Sequence, residues 1–170
     1  VGALINYIEL TQKENVPLVK NLNIINPEKF MQIDDFSFNS LEIFKKTDGE
    51  KSGSLISVID KTNTPLGGRL LKEYIKFPLI EIEEIKKRHD LVKIFIDETN
   101  LLTPTRNFLK ETPDVERAIS RITANINNPR DLIIVLNFLK TSQNIFKILK
   151  DYHNEKFKTL YLEESILKNL

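Results

Sequence analysis

Hydrophobic residues recur along most of the chain at intervals of three and four positions, which is the period of an amphipathic helix. The pattern is clearest over residues 3–12, 64–76, 81–96 and 112–122. A pattern compatible with a strand is confined to residues 29–33, where Phe30 is the expected buried residue together with Met31 or Ile33. The sequence therefore predicts a mainly α fold, an irregular multi-helix bundle with at most a short strand near residues 29–33.

Helix-start signals divide this pattern into elements. Thr64-Pro65, Thr112-Pro113-Asp114 and Asn128-Pro129 each combine a capping side chain with a proline suited to the first helical turn. Asp131 falls at the third position of the last of these helices, where its carboxylate faces unpaired backbone N–H groups. Residues 45–53 read as a charged, glycine-containing turn, and residues 15–26 as a loop.

Two shorter helices are predicted between these signals. Asp34 or Asp35 is expected to cap the first, and Ser54 the second. The first would carry Phe36, Leu41, Ile43 and Phe44, and the second would bury Leu55, Val58 and Ile59.

Three further helices have predicted buried faces. The helix over residues 81–96 would bury one stripe of apolar residues, and the helix that begins at residue 112 shows the spacing of a buried face. A helix over residues 105–110 has a weaker sequence pattern. The segment 132–139 is apolar on more than one face, so we expect its helix at the centre of the domain. The residues of the two stripes are Ile82, Ile85, Val92 and Ile96, and Val115, Ala118, Ile119 and Ile122.

Composition narrows the class of function. The 170 residues fit one domain, and 25 basic against 24 acidic residues give a net charge of +1, which argues against an autonomous DNA-wrapping face. Cysteine is absent, and His89 and His153 are too few for a convincing metal cluster. No run approaches the roughly 18 apolar residues of a membrane span, so we expect a soluble chain without membrane contact. No phosphate-binding loop or nucleophile–base set is visible, so no catalytic, cofactor-binding or metal-binding residue is predicted.

The ends of the chain suggest a piece of a longer polypeptide. It opens at Val1 without an initiator methionine, inside a helical pattern, and closes inside another such pattern over residues 160–170.

Two groups of residues stand out as structural candidates. Gly67-Gly68 interrupts a helical pattern, and each glycine destabilises a helix interior by about 1 kcal/mol relative to alanine. A compensating interaction is therefore expected, namely close approach of another helix, with a bending point as the alternative. The arginines are rare in a chain that prefers lysine, and a guanidinium suits bidentate carboxylate pairing, with DNA-phosphate contact as the alternative. The arginines that stand out are Arg69, Arg117, Arg121 and Arg130.

Five segments, in order, resemble the bacterial MutS family of DNA mismatch-repair proteins. They read VGALINY with TQ at 1–12, MQID with SLEI at 31–43, GSLISVIDKT with TPLGGRLL at 53–71, PDVER with RI at 113–122, and NPRDL at 128–132. The chain departs from the family pattern at Phe38, Asn39 and Ser40, where arginines and an asparagine are usual. The resemblance covers about residues 1–140 and marks ten signature residues: Gly67, Gly68, Arg69, Asp114, Arg117, Arg121, Asn128, Pro129, Arg130 and Asp131.

The resemblance implies that residues 1–170 form a single helical core or lever domain, with residues 1–35 as the junction from a connector domain. In the family this region relays conformational change between the ATPase and the DNA clamp. The segment would have no catalysis or cofactor of its own, while the parent protein binds ATP and Mg²⁺. The implied partners are mismatched double-stranded DNA, a second copy in a homodimer and a MutL-type protein. The implied location is the bacterial cytoplasm, in association with the nucleoid.

The sequence leaves two other classes of function open. A free-standing helical scaffold for protein partners is the alternative, and a small enzyme is the weakest because no convergent catalytic set is visible. The first alternative predicts a reading frame that stops near residue 170. The MutS resemblance predicts one that continues into a phosphate-binding loop.

Overall fold

The computed structural model describes residues 2–12, 26–126 and 128–152. Within these ranges the chain forms helices, and the predicted mainly α fold is confirmed. The predicted loop over 15–26 and the helical pattern over 160–170 lie largely or wholly outside the described residues. The helices are α1 (Gly2–Gln12), α2 (Asp35–Ser40), α3 (Leu55–Ile59), α4 (Pro65–Lys76), α5 (Ile82–Asp97), α6 (Thr99–Lys110), α7 (Val115–Thr123) and α8 (Pro129–Asp151), with a 3₁₀ helix at Pro27–Lys29.

The possible strand near residue 30 is reduced to a single antiparallel bridge between Phe30 and Leu79. Beside it the Met31 backbone N–H donates to the Pro78 carbonyl at 2.8 Å. Neither Phe30 nor Ile33 is fully buried, and Met31 is half exposed. This pairing ties the segment before α2 to the segment between α4 and α5.

Helix starts follow the predicted caps. The Thr64 hydroxyl accepts from the Gly67 N–H at 2.8 Å, and the Asp34 carboxylate accepts from the Ser37 N–H at 2.8 Å. Ser54 also precedes its helix, but its hydroxyl donates to the Lys51 carbonyl at 2.6 Å and makes no capping bond. Local side-chain chemistry therefore fixes most of these boundaries.

The helix predicted after Asp34 is shorter than expected. It ends at Ser40, because the Leu41 N–H closes the last turn onto the Ser37 carbonyl and Glu42 adopts a left-handed φ of 49°. Leu41, Ile43 and Phe44 therefore lie beyond the helix, which corrects the prediction. Ile43 is still buried, and its carbonyl accepts from the Ile56 N–H at 2.9 Å, which joins this turn to α3.

The predicted buried face of α3 is wrong. Ile56 is buried at 1% exposure, while the three residues expected inside are exposed. In this short helix apolar residues occupy nearly every position, so only the neighbouring chain determines which one turns inward. The exposed residues are Leu55, Val58 and Ile59.

The predicted stripe of α5 is also wrong. The buried residue is Ile94, which packs with Leu101 of α6 in a cluster bordered by Leu91, Phe95, Ile148, Leu149 and Tyr152. Helix α6 begins two residues after α5 ends, so it packs against the face of α5 that carries Ile94. The predicted stripe residues Ile82, Val92 and Ile96 are exposed, and Ile85 is partly buried.

Helix α8 contacts both α7 and α6, which form its most extensive helix–helix contacts. Its apolar surface is nevertheless open, because Leu132, Ile133 and Leu136 are each at least half exposed. In α7 the predicted face is correct for Val115 and Ala118, which are buried, whereas Ile119 is exposed. Helix α8 therefore makes the most extensive helix–helix contacts, but only the side that faces α6 and α7 is covered.

Within the described residues one helix, α8, is long and apolar enough to cross a membrane by length and composition alone, with a mean hydropathy of 1.3 in its most apolar window. A single helix of this kind is weak support for a membrane span, because core helices of soluble proteins meet the same criterion. Lys140 and Lys147 interrupt the apolar sequence of α8, and one face of this helix packs against α6 and α7.

Candidate functional site

Charged residues predicted from the sequence meet along α7. Asp114 occupies the N-cap position of this helix without a capping hydrogen bond from its side chain. Arg117 and Arg121 follow at spacings of three and four, so all three lie on one stripe. Helix α4 contributes a partner at one end of the stripe, and α8 contributes a partner at the other. The result is a row of charged residues with an ion pair to another helix at each end.

Arg69 of α4 makes the contact at the first end. Its Nη2 donates to Asp114 Oδ1 at 2.6 Å, its Nη1 to Asp114 Oδ2 at 3.1 Å and its Nε to Glu116 Oε2 at 2.5 Å. The hydrogen bonds with Asp114 raise the pKa of Arg69, and the same bonds lower the pKa of Asp114. The bidentate geometry fixes orientation as well as distance between α4 and α7.

Arg121 makes the contact at the other end. Its Nε donates to Asp131 Oδ1 at 3.0 Å, and its Nη2 bonds the same oxygen. Asp131 is 1% exposed, and the guanidinium of Arg121 is the main cause that lowers its pKa, followed by the bond from the Asn128 N–H. A buried carboxylate is stable there because it is both paired and hydrogen-bonded.

Asp131 also closes the start of α8. Its Oδ2 accepts from the Asn128 backbone N–H at 3.1 Å, while Asn128 Oδ1 accepts from the Arg130 N–H at 2.8 Å. Together with Pro129 in the first turn these bonds form a capping box. One carboxylate therefore starts α8 and holds it against α7.

The other two arginines contribute less. Arg117 approaches Asp114 at 3.4 Å and is 75% exposed, so its contribution is small. Arg130 forms no side-chain ion pair within the part of the chain that the structure describes, and it is exposed. The network along α7 therefore consists of two separate clusters, with Arg69 and Arg117 at Asp114 and Arg121 at Asp131, and Arg130 lies outside both.

Gly67 and Gly68 lie next to the loop before α4, not against another helix. A Cβ on Gly67 would stand 3.0 Å from the Thr64 hydroxyl oxygen, and one on Gly68 would stand 3.3 Å from the Thr62 hydroxyl oxygen. The expected close helix–helix approach is therefore wrong at these positions. Both glycines give room to the loop that caps α4.

The distal end of α8 has its own anchor, which the sequence did not reveal. A hydrogen bond with Glu98, at the junction of α5 and α6, raises the pKa of Tyr152. Ile148 and Leu149 pack beside it against the cluster of Ile94 and Leu101. Helix α8 is therefore held at both ends.

Sequence reasoning also missed which acids pair with which arginines. Asp114 lies 45 positions from Arg69 and Glu116 lies 47, a separation that no local pattern reports. The signal that existed was local, namely two acids in the first turn of a helix that also carries two arginines. In the described residues no group of three or more potential metal ligands lies together, and His153 is not among the described residues.

Comparison with known proteins matches residues 37–170 to a family model described as MutS domain III. The match thus extends past residue 140, where the recognised motifs end. Among curated proteins the chain is similar to the DNA mismatch repair protein MutS of Rickettsia bellii, with 35% identity over 170 residues, covering 100% of the chain and 19% of that protein. The protein of the same name from Thermodesulfovibrio yellowstonii is 35% identical over 171 residues, covering 98% of the chain and 20% of that protein. The chain thus spans about a fifth of the length of these relatives.

Proposed function

Because the chain belongs to the MutS domain III family, we propose that it is the relay segment of a DNA mismatch-repair protein and performs no chemistry itself. In this proposal it transmits conformational change between an ATPase and a DNA clamp, both outside these residues. Residues 1–35 are proposed as the junction from a connector domain. ATP and Mg²⁺ are proposed as ligands of the parent protein.

The observation that carries this proposal is the double anchoring of α8. Its first turn is bound to α7 through Arg121 and Asp131. Ile148 and Leu149 of its last turn pack against the apolar cluster of α5 and α6. With 23 residues the helix is about 35 Å long at roughly 1.5 Å per residue. A rod held at both ends moves one group of contacts when the other is displaced.

The network along α7 supports a mechanical role more than a chemical one. Its acids and bases neutralise one another within hydrogen-bonding distance, so none is left poised for proton transfer. The near-zero net charge supports DNA contact mainly through other parts of the parent protein. We propose mismatched duplex DNA, a second copy and a MutL-type protein as partners of that parent, in the bacterial cytoplasm.

The relay is tested by softening α8 in the full-length polypeptide. Gln143 and Lys147 are exposed on one face of α8, and replacing both by glycine costs about 2 kcal/mol of helix propensity relative to replacing both by alanine. We expect the glycine variant to keep ATP hydrolysis and mismatch binding measured separately, but to lose ATP-dependent release of the mismatched duplex. The alanine variant should release normally. Normal release by both variants would contradict the proposal.

A second experiment uses the 170-residue chain alone. We expect it neither to hydrolyse ATP nor to distinguish mismatched from matched duplex in a gel-shift assay. Tight, mismatch-selective binding by this chain would refute the assignment of DNA reading to other parts of the protein.

A further inference from the structure

We propose that α4 meets the α7–α8 pair at a releasable joint, closed by the ion pairs of Arg69, while α7 and α8 move as one rigid unit. The inference deepens the relay proposed above and rests on it for its purpose. It assigns the moving boundary within the chain to the line between α4 and α7.

The α7–α8 pair has the features of a rigid unit. These two helices share the most extensive contact of any helix pair among the described residues. Val115 and Ala118 of α7 are buried, and Asp131 of α8 is buried beneath Arg121. Separating the two helices would expose this apolar surface and leave a buried carboxylate without its partner.

Helix α4 is held differently. None of its residues is fully buried, and it takes part in none of the extensive contacts that join α7 to α8, α6 to α8 and α5 to α6. Among the described residues, the side-chain hydrogen bonds from α4 to α7 come from Arg69, which reaches Asp114 and Glu116 through three of them. This connection therefore depends on side-chain ion pairs and not on close packing of the two helices.

An unfilled groove lies where α4 begins. It has a volume of about 300 Å³ and is bounded by Thr64 and Leu66 on one side and by Leu109 of α6 and Phe138 and Ile145 of α8 on the other. The start of α4 thus has space beside it, whereas close-packed helices leave little. This groove offers room for α4 to shift relative to α8.

Solvent reaches the two ion pairs unequally. The side chains of Arg69 and Arg121 are similarly exposed, at 36% and 40%. The difference lies in the carboxylates, because Asp114 and Glu116 are 23% and 58% exposed whereas Asp131 is 2% exposed. Ions screen exposed pairs much more than buried ones. Salt should therefore weaken the contact of Arg69 while leaving the contact of Arg121 nearly intact.

The joint is tested by distance measurements between spin labels in the full-length polypeptide, without nucleotide or DNA. This chain contains no cysteine, so labels at Lys72→Cys in α4 and Lys140→Cys in α8 report their own positions once cysteines elsewhere are replaced. We expect one narrow α4–α8 distance at low salt. Raising NaCl from about 0.05 M to about 1 M, or introducing Asp114→Asn at low salt, should add a second population of distances.

Two controls accompany this measurement. A reference pair, Ser120→Cys in α7 with Lys140→Cys in α8, should keep a single narrow distance under all conditions. Glu83→Gln, which removes an exposed ion pair of α5 with Lys86, should leave the α4–α8 distance unchanged. The salt series needs no substitution in the network, so a folding defect in Asp114→Asn does not decide the outcome.

An α4–α8 distance that stays unchanged in high salt overturns the joint. Equal broadening of the α7–α8 reference pair also overturns it, because there would then be no rigid unit. A second population together with normal release by the α8 glycine variant would retain the joint and reject the relay. The two proposals therefore fail separately.

Discussion

Asp131 concentrates three interactions in one buried carboxylate. It pairs with Arg121, accepts from the Asn128 N–H and closes the first turn of α8. We expect Asp131→Asn to lower the urea midpoint of unfolding by roughly 0.5–1 M, because the amide keeps the shape but loses the charge-assisted bonds. Glu83→Gln, at an exposed pair, should leave the midpoint almost unchanged. Equal midpoints for wild type and Asp131→Asn would show that the capping box does not need the charge.

The same carboxylate predicts how stability depends on pH. Pairing with Arg121 holds the pKa of Asp131 below its ordinary value, so folding favours the charged form. Its contribution is therefore complete above the ordinary pKa of about 4 and disappears as the pH falls through the lower, folded pKa. We expect the difference in urea midpoint between wild type and Asp131→Asn to be largest near pH 7 and to shrink below pH 4. A difference that grows on acidification would contradict this sign.

At the scale of helices, local chemistry predicted boundaries better than faces. Thr64, Asp34 and Asn128 cap their helices as the sequence indicated, because a cap involves only neighbours within three residues. The inward faces of α3 and α5 were predicted incorrectly. Both helices carry apolar residues around much of their circumference, so contacts made far along the chain select the buried one.

The network along α7 shows the same division. The rarity of arginine in this chain and the shape of its guanidinium indicated that Arg69 and Arg121 were candidates for carboxylate pairing. Asp131 was predicted as a cap, but its pairing with Arg121 depends on how the α7–α8 turn folds. The partner of Arg69 lies 45 positions away and follows from the arrangement of helices, not from any sequence pattern.

Helix α3 allows the correction of its face to be tested on a single element. Ile56 is 1% exposed and Val58, two positions away, is 64% exposed. We expect Ile56→Ala to lower the free energy of unfolding by about 2–4 kcal/mol, because it leaves a cavity. Val58→Ala should change it by less than about 0.5 kcal/mol. Denaturant unfolding of the two variants provides the comparison, and the reverse order of effects would restore the face first predicted from the sequence.

For the molecule as a whole, the balance of buried and exposed apolar surface is unusual. Among the described residues six hydrophobic residues are buried, while twenty large ones are exposed. Single exposed apolar residues are normal, but Leu132, Ile133 and Leu136 adjoin one another on one face of α8. A chain that spans about a fifth of its relatives' length leaves ample sequence in those relatives to cover such a face.

This apolar face predicts opposite behaviour in two contexts. We expect the 170-residue chain alone to self-associate with rising concentration, and Leu132→Glu with Leu136→Lys to weaken that association at least several-fold, because charge replaces the exposed patch. In the full-length polypeptide the same pair of substitutions should instead lower the unfolding midpoint, since there the face would be buried against other residues and the charges would lose their hydration. Sedimentation velocity measures the first effect and thermal unfolding the second. Neutralising the exposed pair, Glu83→Gln with Lys86→Gln, is the control and should change both much less. Unchanged stability of the substituted full-length polypeptide would mean that the face is solvent-exposed there too, which would favour the alternative of a scaffold for separate protein partners.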